Sequence, residues 1–244
     1  MSEGSWRKTP VEKGEGKVAA LKKVKQVEKM KLRIRHVGLV AAALILALGL
    51  HAAAEPRETV IVALGDSLTA GYGLPQDQSF PAQLEAALKA RGQNVRVINA
   101  GVSGDTASAA LQRLDWALPE DAAAVIVELG ANDALQGLPP DKTEEALGKI
   151  IARIKAKGLA VLLAGMEAPR NMGKDYVAAF GAIYPDLAAH YDVSLYPFFL
   201  EGAALNVGLM QTDGIHPNGK GVSVIVEAML PKVEELLAQA QTKE

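Results

Sequence analysis

The sequence predicts an α/β domain, a five-stranded parallel sheet covered by helices on both faces. Three observations point there. Five apolar runs of strand length alternate with helical patterns, the chain order of right-handed β–α–β crossovers. Three of those runs are nearly continuous rather than alternating, as in strands buried on both faces. The polar residues able to do chemistry fall just after strands, at the sheet edge where such folds bind ligands.

The elements follow in order. Thr59–Leu64 (TVIVAL) is the first strand. Pro81–Arg91 is a helix, with proline at a first helical position and Gly92 just past the end. Val95–Asn99 is the second strand. Thr106–Leu118 is a helix, with Asp105 as its N-cap and Pro119 as its stop. Ala123–Leu129 (AAVIVEL) is the third strand. Lys142–Lys157 is a helix capped by Asp141, with Leu147, Ile150, Ile151 and Ile154 on one face and Gly158 at its end. Ala160–Ala164 is the fourth strand, Asp175–His190 a helix, and Val193–Phe199 the fifth strand. A last helix runs over Gly219–Ala240, where Pro231 is expected to kink or break it.

A chain of 244 residues that is 49% apolar suits one medium domain with a sizeable core, not a disordered polymer. The net charge of −2 conceals an asymmetry. Residues 1–54 carry eleven Lys+Arg against four Asp+Glu, net +7; residues 55–244 carry fifteen against twenty-four, net −9. An acidic body without a basic stripe argues against nucleic acid as a partner. The absence of cysteine excludes disulfides, thiolate metal sites, a cysteine nucleophile and a lipid-anchoring cysteine.

The positive charge has its own explanation. Lys31, Arg33 and Arg35 precede an uninterrupted apolar run, Val37–Leu50, which is followed by Ala52-Ala53-Ala54. That order is the signature of a secretory signal peptide over residues 30–54, cleaved after Ala54. The apolar run is shorter than the ~20 residues that span a bilayer, so no stable membrane span is expected after processing. An uncleaved anchor is the alternative. Residues 1–29 form a lysine-rich extension ahead of a second methionine, Met30, with no long apolar face. A mis-assigned start codon and a long n-region both account for it. Residues 55–244 then form the domain, and the mature protein is expected in the periplasm or outside the cell.

Four loops supply the chemistry. Ser67 follows the first strand in GDSL, and Gly101 follows the second in NAGVSGDT. Asn132 follows the third in GAND, and Asp213 and His216 follow the fifth in DGIHPN. A serine hydroxyl is a weak nucleophile at neutral pH and needs an adjacent base, which His216 can be. Asp213 can fix the histidine tautomer. The N–H groups of Ser67 and Gly101 and the side-chain amide of Asn132 can face a developing oxyanion.

These stretches, GDSLTAGYGL, NAGVSGDT, GAND and DGIHPN, resemble blocks I, II, III and V of the GDSL/SGNH hydrolase family. The resemblance covers essentially residues 55–244. It implies a flavodoxin-like three-layer α/β/α fold, Ser67, Asp213 and His216 as the catalytic triad, and Ser67, Gly101 and Asn132 as the oxyanion hole. No G-x-S-x-G elbow is present, so the chain is unlike the ordinary α/β-hydrolases. GMEAPRNMG, Gly165–Gly173, is most similar to the bacterial arylesterase and multifunctional thioesterase/lysophospholipase branch. In that branch the loop Met166–Lys174 walls the substrate site and the proteins are monomers.

The expected activity is hydrolysis of aryl and short- to medium-acyl esters, and of acyl-thioesters, through an acyl-enzyme on Ser67. No cofactor is expected. A lysophospholipase or acyl-thioesterase, a carbohydrate acetyl esterase and a non-catalytic binding protein are the alternatives. Leu135, Leu138, Phe198 and Phe199 could line an acyl groove or be ordinary core and loop residues. Asp66 is expected to hold the nucleophile loop, and Asp133 to order the Asn132 loop. His190 is expected at a helix C-terminus or on the surface. No metal site is expected, because only His190 and His216 remain after residue 54 and His216 belongs to the triad. GDSLTAGYG is no phosphate loop: it lacks a Gly-Lys-Ser/Thr ending, and Asp66 would repel phosphate.

Overall fold

The computed structural model describes residues 21–36 and 58–242. Residues 21–36 form a helix, α1, exposed along its length. It runs across Met30, and Leu21, Val24, Val27 and Met30 place a short apolar stripe on it at three-residue spacing, one that winds about half-way round the helix. The extension thus carries a short apolar stripe that its lysine content hides. Val37–Leu50 and the expected cleavage after Ala54 lie outside the described residues.

The domain is a five-stranded, wholly parallel sheet. Its strands are β1 (Thr59–Gly65), β2 (Val95–Gly101), β3 (Ala122–Glu128), β4 (Ala160–Ala164) and β5 (Ser194–Tyr196), in the order β2-β1-β3-β4-β5. β1, β3 and β4 are buried almost throughout, as their continuous apolar runs require. β5 is shorter than expected. It sits at the sheet edge and is followed by Pro197, which has no N–H to continue the ladder.

The helices are α2 (Ser67–Ala70), α3 (Phe80–Ala90), α4 (Ala107–Ala117), α5 (Ala131–Leu135), α6 (Pro140–Ala156), α7 (Lys174–Tyr191) and α8 (Gly219–Gln241). Two caps differ from expectation. Thr106 caps α4, its Oγ1 accepting from Ala109 N at 3.2 Å, while Asp105 pairs with Arg113 at 2.6 Å. α6 starts at Pro140 with Pro139 at the cap, so Asp141 sits inside its first turn. Pro231 neither breaks nor ends α8, and Pro185 lies likewise inside α7. Both prolines, and the residues four positions earlier whose carbonyls they leave unpaired, are solvent-exposed, so water can hydrate those carbonyls.

The register sets the site. Gly101, Gly65, Glu128, Ala164 and Tyr196 lie side by side across the sheet. The loops that leave this carboxyl edge carry every residue singled out for chemistry. Beneath them, Ile61, Ile126 and Leu162 on adjacent strands belong to one continuous core with the buried faces of α6 and α8. Among the described residues, no helix is long and apolar enough to cross a membrane.

Candidate active site

The chain turns sharply after β1. Asp66 caps α2, its Oδ1 accepting from Leu68 N at 2.9 Å. Ser67 is therefore the first residue of a helix, with its backbone N–H unengaged among the described residues and its side chain half-buried at the cleft.

His216 reaches the serine from the loop before α8. Ser67 Oγ lies 2.9 Å from His216 Nε2, and His216 Nδ1 lies 2.7 Å from Asp213 Oδ2. A carboxylate only accepts, so Nδ1 carries the hydrogen and Nε2 is left to accept from the hydroxyl. Asp213 Oδ1 also accepts from Ile215 N at 2.9 Å and His216 N at 3.0 Å. The backbone bond from His216, its ring and the Ile215 N–H lower the Asp213 carboxyl to about 2. It is a carboxylate at any pH where the imidazole can act as a base.

Asn132 stands in the first turn of α5, beside the serine. Its Nδ2 donates to Asp66 Oδ2 and to the Asp105 carbonyl, each at 3.0 Å. Asp66 is fully buried, and burial raises its carboxyl to about 6. It holds the nucleophile turn as the sequence suggests, and it holds the amide as well. Asp133 is buried and accepts from Ala107 N at 2.9 Å and Thr143 Oγ1 at 3.1 Å, tying α5 to α4 and α6. His190 lies exposed in the last turn of α7.

Gly101 does not reach the cleft. It ends β2 against the back of α2, where a Cβ would collide with the Ala70 backbone nitrogen. Its N–H donates to Asn99 Oδ1 at 3.0 Å. Within the same NAGVSGDT stretch, Gly104, three residues on, lines the cleft. Its φ of +88° is one that side chains resist, and its N–H makes no hydrogen bond among the described residues. The structure thus brings Gly104, rather than the expected Gly101, to the lining of the cleft.

Glu128 was no part of the expected site. It ends β3 fully buried, accepts from Thr69 Oγ1 at 2.7 Å, and leaves Oε1 without a partner. Burial, reinforced by the nearby Asp66 charge, pushes its carboxyl well above the ordinary range. Its position inside a continuous apolar run gave no signal beyond the oddity of a carboxylate there.

The cleft holds about 340 Å³, within the ordinary size for small-molecule sites. Leu68, Leu135, Met166, Pro169, Leu205 and Ile215 supply apolar walls around Ser67 and His216. Met166, Glu167 and Pro169 come from the loop expected to wall the site. Of the proposed groove residues, Leu135 lines the cleft and Phe199 is core. No group of three or more His, Cys, Asp or Glu is placed to hold a metal among the described residues.

Residues 63–224 match the GDSL-like Lipase/Acylhydrolase family. An arylesterase of Vibrio mimicus is 43% identical over 185 residues, 75% of this chain and 92% of that protein. The thioesterase 1/protease 1/lysophospholipase L1 of Escherichia coli (strain K12) is 40% identical over 75% of this chain and 87% of its own length. The crystal structure of the psychrotrophic esterase EstA from Pseudoalteromonas, inhibited by monoethylphosphonate, superposes with a TM-score of 0.70 at 32% identity. It covers 74% of this chain and 100% of that one. The chain thus belongs to the GDSL-like lipase/acylhydrolase family and is an ester-hydrolysing enzyme.

Proposed function

We propose that the protein is an exported serine esterase acting on aryl and short- to medium-acyl carboxylic esters and on acyl-thioesters. The observation that carries the mechanism is the unbroken line Ser67 Oγ–His216 Nε2, His216 Nδ1–Asp213 Oδ2 at the mouth of an apolar cleft. Ser67 Oγ attacks the acyl carbon as His216 takes its proton, and the carbonyl electrons move onto oxygen. The Ser67 and Gly104 N–H groups stabilise that oxyanion, joined by the Asn132 amide as one of its two N–H groups turns from the Asp105 carbonyl to the developing charge. Collapse breaks the bond to the leaving alcohol or thiol, which receives the proton from His216. Water then attacks the acyl-enzyme with His216 as base, releasing the acid and restoring Ser67.

The apolar walls favour an acyl group over a sugar, and the cleft volume suits a short to medium chain. The signal-peptide pattern before residue 55 supports export. The N-terminal mass of protein recovered from the periplasm tests it, with Glu55 as the expected first residue.

Hydrolysis of p-nitrophenyl esters from acetate to palmitate, with Ser67→Ala as control, tests the chemistry. Turnover should be highest on short and medium chains, and the alanine variant should lose at least ~10³-fold. Equal rates for the two proteins would remove Ser67 from the mechanism.

A further inference from the structure

Two residues outside the triad converge on His216. Hydrogen bonds to Nδ1 and Nε2 both lie in the plane of the imidazole. They fix its position but leave the ring free to tilt about the line joining them. The ring of Tyr72 covers one face of it, with centroids 4.6 Å apart and planes inclined at 37°. Tyr72 comes from the turn after α2, its N–H donating to Ser67 O at 3.0 Å, so it moves with the nucleophile.

Gln211 joins that turn to the loop of the base. Its backbone N–H donates to His216 O at 2.7 Å, and its Nε2 donates to Tyr72 O at 2.8 Å and Pro217 O at 3.0 Å. The side chain lies so close to the turn that a Cβ on Gly73, at φ +73°, would collide with its Oε1. One neutral side chain thus spans two segments 139 residues apart.

We propose that Tyr72 and Gln211 are positioning residues for ester hydrolysis. Tyr72 holds the His216 ring from its face, and Gln211 clamps the turn carrying Tyr72 to the loop carrying His216. This rests on Ser67 and His216 acting as proposed above. When His216 takes the serine proton its ring becomes a cation, and the negative face of the Tyr72 ring attracts it in the transition state more than in the ground state. The role therefore belongs to kcat. A substrate-binding role for the same ring would appear in KM.

The test measures kcat and KM for p-nitrophenyl butyrate with Tyr72→Leu, Tyr72→Phe, Gln211→Leu, the Tyr72→Leu/Gln211→Leu double variant and Ser67→Ala. Tyr72→Leu should lower kcat by roughly 10-fold with KM within about 2-fold, and Tyr72→Phe, which restores the ring, should recover it. Gln211→Leu should also lower kcat, and the double variant should fall well short of the product of the two losses, because both act on one contact. An undiminished kcat in Tyr72→Leu, a loss confined to KM, or Tyr72→Phe as slow as Tyr72→Leu would overturn the inference. Ser67→Ala separates the two levels. If it retains activity, the triad reading itself fails. If it is inactive while Tyr72→Leu is undiminished, only the positioning role fails. Should Gln211→Leu not fold, the Tyr72 pair decides alone.

Discussion

Asn132 Nδ2 donates to Asp66 Oδ2 across 3.0 Å, so the residue before Ser67 holds the amide beside it. The other oxygen of the same carboxylate caps the helix that begins at Ser67. An amide at position 66 would keep one acceptor and present a donor to a donor. Asp66→Asn should therefore lower kcat by about 10- to 10³-fold, measured on a short p-nitrophenyl ester at pH 8. Acid should mimic the variant in the wild type. Burial sets this carboxyl at about 6, so below that pH it becomes a donor and kcat should fall. The fold loses no stability through this group in acid, because a raised carboxyl binds its proton more tightly folded than unfolded.

Two glycines of the NAGVSGDT stretch should fail differently. Gly104→Ala must hold a φ of +88° with a Cβ in open space, which costs about 1–2 kcal/mol of strain or shifts the N–H. A folded protein with kcat reduced tenfold or more is expected. Gly101→Ala drives a methyl into the Ala70 backbone and should lower the thermal midpoint instead. Thermal melts alongside kinetics check both. The reverse pattern would return the oxyanion role to Gly101.

Asp213→Asn should keep the fold, because Asp213 is exposed, and lose about 10²–10⁴ in kcat. Its carboxyl sits at about 2, so the acid limb of the wild-type profile should contain no ionisation of Asp213 above pH 4. A kcat within a few-fold of wild type would exclude it as the orienting group.

Glu128 gives a stability test. Its carboxyl is raised, so the folded protein holds that proton while the unfolded chain releases it in the ordinary carboxylate range. Stability from this group is full below that range and is lost as pH rises toward its raised folded value. Glu128→Gln keeps an acceptor for Thr69 and cannot ionise. It should match wild type near pH 4 and be more stable at pH 9 in urea unfolding. Equal stability at pH 9 would show that the wild-type carboxyl ionises there without cost.

The sheet was readable because β1, β3 and β4 are continuous apolar runs of strand length set between longer helical patterns. Ser67, Asn132, Asp213 and His216 stood out as candidates because each follows a strand and has no other evident task. α2 and α5, of four and five residues, are too short to show a helical period, although they carry Ser67 and Asn132. Asp105 and Thr106 are both good caps. Only Arg113, arriving through the fold, takes one of them away. Gly101 and Gly104 are equivalent as letters, and only the close approach of α2 to the first separates them. Gln211 has no signature at all, since a neutral loop glutamine acquires its place solely from what lies 139 residues earlier.

Ser67 and His216 meet across 149 residues of chain, the first leaving a central strand and the second entering the last helix. No shorter stretch contains both halves of the charge path, and a contact of that span is among the costliest to close. A collapsed chain with its helices already made would still be chemically silent. On the proposed mechanism hydrolysis requires that contact, so the return of turnover after denaturation should time its closure. Turnover would then report on long-range assembly where a helix signal reports only on local structure.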